Sequence, residues 1–435
     1  MKARTVAFSF LLGVRTAVRS RLVAALVPPL AAAAVALPLW LETDGTEQGA
    51  LRMAVSWPLS AAFAILAAAT LCSGSAAFAS EIERRRFVSE AVSPAGAFDI
   101  WLGRWLAVVA LDEALLAAVA AAVFAVARYK APAASREPVK VLLRRDEAYD
   151  EELAARLSGG DPAKKAAALE DLRSGAFLPV APGEARAWRF FVPSGEFSAL
   201  QVDFSLLSSY GMAQGVDGAL ALRPPQPGAS DIARFELSKD SDGTFHAELP
   251  AAAIRALDRI DVAFENREDP ETGAGALVSH VDSLRLSRPG RGLAANLFLA
   301  WAVMLAALSF AAALALLCGA AFSPPVATFV STGLALALFA SAGGPAGGAE
   351  DAHDHGEPRE KGAAERAVER FSEATSGALS AVVSPVVSPD AIGRAGDGVG
   401  IDPGAAASAV VRCGVALPLL VGFFAAATLR RRQLN

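Results

Sequence analysis

Six apolar runs rich in Ala, Leu and Val divide this chain, at residues 22–40, 53–79, 102–126, 293–317, 326–341 and 406–429. About 20 such residues in helical form cross a bilayer. A helix is suited to that crossing because it satisfies its own backbone hydrogen bonds within one segment. The runs therefore predict six transmembrane helices, the first kinked by Pro28, Pro29 and Pro38. Hydrophobic residues make up 54 % of the chain and charged ones 20 %, against roughly 45–50 % apolar usage in soluble domains. The excess lies in these runs.

The intervals between the runs orient them, because short loops rich in Lys and Arg stay in the cytoplasm. Lys2, Arg4, Arg15, Arg19, Arg21, Arg84–Arg86, Arg104 and Arg430–Arg432 fall on one side. Glu42, Asp44, Glu47 and the cluster Glu350, Asp351, Asp354 and Glu357 fall on the other. Both termini and the loop at 80–104 are thereby expected in the cytoplasm of a multi-pass cell-membrane protein, with residues 131–291 and 343–405 outside. Residues 1–20 read as a basic amphipathic helix on the membrane surface. Arg15 and Arg19 stand where a cleavable signal would need small residues.

Between 131 and 291 the pattern changes. Residues 146–172 read as two short helices broken at Gly159-Gly160-Asp161-Pro162. Short alternating segments follow at 187–192, 199–206, 219–222, 233–237, 244–249, 260–264 and 277–286, bounded by turn residues. Many short strands at this spacing predict a β-sandwich. The expected fold is thus a mainly α membrane protein: a six-helix transmembrane bundle over 1–130 and 292–435, with an extracytoplasmic β-sandwich-like insert at 131–291.

Little in the chain carries chemistry of its own. No G-x-x-x-x-G-K-[ST] phosphate loop occurs. Gly393, Gly396, Gly398 and Gly400 follow no strand and open no helix, and read as flexible loop. His353-Asp354-His355 sits among Gly, Ala and charge, the setting of a solvated loop rather than a metal site. His246 and His280 read as sandwich residues. Cys72, Cys318 and Cys413 lie in or beside apolar runs and suggest no disulfide. No catalytic triad or paired carboxylates stand out, so no enzyme, metal, cofactor or nucleic-acid partner is expected. Asp112 and Glu113 interrupt the third run, where ionisable groups are costly and by default hint at function. Pairing inside the bundle is the plainer reading, with Arg412 of the last run as the candidate partner.

The most informative stretch is Ser80–Leu106, SEIERRRFVSEAVSPAGAFDIWLGRWL. Residues 81–92 can form a short helix bearing both charge signs and an apolar face from Phe87, Ala91 and Val92, suited to a groove on a soluble partner. Ser93-Pro94 is a cap and first-turn signal for the helix that follows. The order Glu81-x-Glu83-Arg84-Arg85-Arg86, Pro94, then Gly103-Arg104 resembles the loop between the second and third helices of ABC-2 type transporter permeases. Arg104 stands where that family has Lys, and the insert at 131–291 lies outside the resemblance. The resemblance implies a permease subunit, an exporter by expectation, without its own cofactor. A separate ABC ATPase subunit would bind the ATP, and a second permease subunit, in a homo- or heterodimer, would complete the transporter in the lipid bilayer. Glu81, Glu83 and Arg84–Arg86 would transmit the ATPase motion, while Pro94 and Gly103 let the chain turn. The insert would take substrate, an extracytoplasmic partner or its own second copy. Two other readings compete. One is a membrane-anchored surface-binding or envelope assembly protein presenting the insert. The other is an ion-coupled transporter using Asp112 and Glu113.

Overall fold

The computed structural model describes residues 3–19, 21–41, 45–83, 96–159, 161–193, 197–208, 216–226, 229–238, 244–254, 256–269, 275–343 and 390–434. The chain forms two compact units, Met1–Pro138 with Arg291–Asn435, and Val139–Gly290.

The first unit is helical. It begins with α1 (Ala3–Arg19) and α2 (Leu22–Ala31), a π-helical stretch at Ala32–Ala36, and α3 (Leu37–Trp40). Pro28 and Pro29 have no N–H to give to the preceding turn. Just beyond them the Ala32 N–H turns to both the Pro28 and Pro29 carbonyls. The irregularity that the prolines predict takes the form of a widened turn rather than a break. Next come α4 (Glu47–Glu83, 37 residues) and α5 (Ala97–Lys130, 34 residues). At 1.5 Å per residue they are about 55 and 50 Å long, well beyond a hydrocarbon core of about 30 Å. They absorb residues that the sequence reading left in loops. Glu47 opens α4 instead of belonging to the acidic loop, and Gly103 lies inside α5.

The second unit carries α6 (Glu147–Leu157) and α7 (Pro162–Ser174), separated at the expected break. Its strands are β1 (Lys140–Leu142), β2 (Phe177–Val180), β3 (Ala185–Phe191), β4 (Ala199–Ser205), β5 (Leu207–Ser208), β6 (Gly218–Arg223), β7 (Ala233–Leu237), β8 (Thr244–Pro250), β9 (Arg259–Asn266), β10 (Ala276–Ser279) and β11 (Leu284–Pro289). They form antiparallel sheets ordered β3-β9-β6-β7, β1-β11-β4-β8 and β2-β10-β5. Alternation assigns the inward faces: Trp188 and Phe190 on β3, Leu200, Val202 and Phe204 on β4, and Ile260, Val262 and Phe264 on β9 are buried. The two four-stranded sheets share one core. Phe204 of one meets Trp188 and Phe264 of the other at ring-centroid distances of 6.2 and 5.1 Å.

One expected strand, 277–286, is two strands. The Ser283 N–H returns to the Ser279 carbonyl and turns the chain between β10 and β11. His280 occupies that turn, fully buried, with its ring stacked on Trp188 at 5.7 Å and its Nε2 2.8 Å from Asp150 Oδ1 of α6. Trp188 Nε1–H donates to the His280 carbonyl at 3.1 Å. Arg189 adds a second tie to α6. Its guanidinium grips Asp261 at 2.6 and 2.8 Å and lies 4.4 Å over the Tyr149 ring. Burial, aided by the Asp261 charge, holds the Tyr149 phenol pKa above its ordinary value.

The chain then re-enters the helical unit as α8 (Leu293–Ala321), α9 (Pro324–Gly343), α10 (Asp390–Gly396), α11 (Pro403–Ala409), a π-helical stretch at Val410–Ala416, and α12 (Leu417–Leu434). Among the described residues, five helical stretches are long and apolar enough to cross a membrane: Val23–Trp40, α4, α5, α8 and Pro403–Arg431. Helix α8 is the centre. In its most apolar window 78 % of the residues are buried, against 22–39 % in the other four. It is apolar all round, as a helix enclosed by others must be.

Polar side chains register the neighbours of α8. Trp105 Nε1–H of α5 donates to the Ser309 carbonyl at 3.0 Å, and Ser309 Oγ donates to the Gly414 carbonyl at 2.8 Å. Asn296, 1 % exposed, donates from Nδ2 to the Val399 carbonyl at 2.9 Å and accepts the Ile401 N–H at 2.8 Å. The glycines read as loop include Gly393 and Gly396, which lie in α10 with Ala391 and Ala395 buried beside them. Those small apolar residues give α10 a face to bury, and the Arg52–Asp397 ion pair at 3.0 Å ties the turn after it to α4.

Candidate functional site

The site grows from the two feet of the segment at 84–95. Arg84, Arg85, Arg86 and Pro94 lie outside the described residues, as does the predicted helix beyond Glu83. The flanking residues are described. Glu83 is exposed at the end of α4. Glu81, in the last turn of α4, sits where helix carbonyls concentrate partial negative charge, an unfavourable place for a carboxylate alone. Arg104, two turns into α5, offsets it. Its Nη2 lies 3.0 Å from Glu81 Oε2, with side-chain exposures of only 9 % and 16 %.

Gly103 has a different role from the turn the sequence reading gave it. A Cβ there would stand 2.6 Å from Ser9 Cβ and 2.7 Å from the Val6 carbonyl. The residue is glycine because α1 crosses α5 at that point, and Ser9 is buried in the crossing at 1 % exposure. One helical turn away, Gly13 of α1 makes room for Ala107 in the same way. The N-terminal helix is thus packed along α5 by a small-residue seam.

The intramembrane-type charges separate. Asp112 is 4 % exposed and faces α4, where Thr70 Oγ1–H reaches its two carboxylate oxygens at 2.9 and 3.1 Å. Its partner is therefore Thr70 and not Arg412, which is exposed on the π-helical stretch of the last apolar helix. Glu113 is exposed, because consecutive helical residues point about 100° apart. The two acids share a sequence position but not a face.

Between α1, α4 and α5 lies a cavity of about 330 Å³. The Glu81–Arg104 pair lines one end and the Thr70–Asp112 pair the other. On α5 the two ends are eight residues apart, about 12 Å along the axis. Apolar groups such as Leu26, Phe78, Val108 and Leu111 make up most of the wall, and Thr16 and Ser73 add hydroxyls. Sequence reasoning passed over Thr70, Ser73, Ser9 and Gly13. The available signal was modest: hydroxyl residues one turn apart within the Ala- and Leu-rich second run.

Among the described residues no group of three or more His, Cys, Asp or Glu could hold a metal ion. Cys72, Cys318 and Cys413 are free thiols. The His353-Asp354-His355 cluster lies outside the described residues. His280, one of the two sandwich histidines, is a buried partner of Asp150. His246, on β8, is exposed and lies 2.8 Å from Asp203. The architecture is that of a helical membrane protein with an antiparallel-sheet unit. No family model, no curated protein and no solved structure matches the chain.

Proposed function

We propose that the protein is the permease subunit of an ABC-2 type ATP-driven transporter, an exporter, working with a separate ATPase subunit and a second permease subunit. The observation that carries this reading is the construction around the segment at 84–95. Its two feet are joined by the Glu81–Arg104 pair, and the crossing at Gly103 places α1 on the same helix. A push delivered to that segment would move α4, α5 and α1 together rather than bend one of them. This is what a loop that couples an ATPase to a bundle needs, and a loop that only sets topology does not need it.

In this reading α9 is the fifth of six spans and the segment at 84–95 is cytoplasmic, as its arginines require. The sheet unit is extracytoplasmic. The protein hydrolyses nothing itself.

The test is purification of the full-length protein from its native host in mild detergent, beside a variant with Arg84, Arg85 and Arg86 changed to Glu. A co-purifying ATPase that the variant loses is the expected result. A protein that yields no ATPase, even after crosslinking in the membrane, would overturn the proposal. It would favour spans that merely present the sheet unit, which has its own closed core.

A further inference from the structure

We propose that the cavity between α1, α4 and α5 is a binding site for a lipophilic amine, with the ammonium on Asp112 and the apolar body along the cavity toward Glu81 and Arg104. The inference concerns binding and stands whether or not an ATPase drives the protein.

Charge is the first argument. A buried carboxylate needs a cation or several hydrogen-bond donors. Among the described residues, Asp112 belongs to no ion pair and takes its hydrogen bonds from the Thr70 hydroxyl. An ionised carboxylate offers about four acceptor sites, so capacity remains for an ammonium, a three-fold donor. Among the described residues, the charged groups lining the cavity are Glu81, Arg104 and Asp112. Glu81 and Arg104 offset each other across 3.0 Å. Asp112 is thus the acidic group of the described lining that has no ionic partner.

Shape is the second. At about 330 Å³ the cavity falls within the roughly 300–1,000 Å³ of small-molecule sites. It is walled mainly by Ala, Val, Leu and Phe side chains, with Arg104 and Asp112 about 12 Å apart along the α5 axis. That is the outline of a medium-length alkyl chain bearing a single charged head. Beside Asp112 a metal ion would find no second carboxylate among the described residues, since Glu81 is held by Arg104. An anionic amphiphile would meet Asp112, and a neutral one would leave the carboxylate uncompensated.

The test uses full-length protein in detergent, immobilised on scintillation beads, with radiolabelled decylamine as the probe. Unlabelled decylamine, decanol and decanoate serve as competitors. Saturable decylamine binding is expected, with decanol and decanoate competing at least tenfold less well. Asp112→Asn is expected to weaken that binding at least tenfold, and Asp112→Glu to retain most of it. Ala77→Phe, at an exposed wall position, is expected to block it while leaving the unfolding midpoint unchanged. Equal competition by decanol would overturn the proposal, as would binding unchanged in Asp112→Asn or in Ala77→Phe, or no saturable binding at all. If Asp112→Asn fails to fold, the competitor series on the wild-type protein and Ala77→Phe still decide.

Discussion

Glu81 and Arg104 lie 3.0 Å apart, on helices whose sequence is interrupted between them by the charged segment at 84–95. Both are largely buried, so removing one takes from the other a charged partner at 3.0 Å. Loss of one partner of a buried pair costs about 3–5 kcal/mol. Arg104→Ala and Glu81→Ala should each lower the thermal unfolding midpoint of the detergent-solubilised protein. The swap Glu81→Arg with Arg104→Glu should recover part of that loss. A midpoint unchanged in either single variant would show that the pair contributes nothing to stability.

Gly103 is the second point of stress. A methyl group there meets Ser9 and the Val6 carbonyl at distances no Cβ tolerates, so α1 must move. Overpacking of this kind costs about 1–3 kcal/mol. Gly103→Ala should speed amide hydrogen exchange across 3–19 and leave exchange in β4 and β9 unchanged. Adding Ser9→Gly should restore only part of the protection, because the Val6 backbone clash remains.

Asn296 holds the chain between α10 and α11 through two hydrogen bonds. Each buried backbone group left unsatisfied costs about 1–3 kcal/mol. Asn296→Leu, similar in size but without the amide, should destabilise the protein and raise hydrogen exchange at Val399 and Ile401. Asn296→Asp retains the acceptor for the Ile401 N–H and loses the donor to Val399, so Val399 should respond more than Ile401.

Tyr149 sets a pH dependence in the sheet unit. Its phenol pKa is raised by burial above the ordinary 10.0, so the folded state keeps the proton to higher pH than the unfolded state does. The associated stability is fully present below about pH 10 and is lost as pH rises through the folded value. In an ultraviolet titration of tyrosinate, Tyr149 should ionise as a late phase, above the ordinary tyrosine value. Tyr149→Phe should remove that late phase and flatten the alkaline decline in stability.

Much of the architecture was legible in local pattern. Five of the six apolar runs lie, among the described residues, in helices long and apolar enough to cross a membrane, because hydrophobicity and helical continuity are properties of neighbours along the chain. The Gly159–Pro162 break separated α6 from α7, and alternation located β4, β7 and β9. Helix ends were less legible. Charged residues at the ends of α4 and α5 read as loop, yet they remain helical. Strands β1, β2 and β5, of 3, 4 and 2 residues, were too short to show a period, and pairing with longer strands makes them strands.

By itself the sequence determined which segments are apolar enough to leave water, where the chain must turn, and which of its charges are costly. Only the tertiary structure decided how those charges are met. Glu81 and Arg104 stood out as separate members of a motif, and the folded chain makes them one ion pair. Asp112 could have turned to any polar residue of the bundle. It meets Thr70, 42 positions away, because the rotation of α4 against α5 brings that hydroxyl to the same face. Gly103 read as a place to bend until α1 was seen to lie across it. Periodicity reports which face of a helix avoids water. It carries no information about which other helix covers that face, at what angle, or what space is left between them.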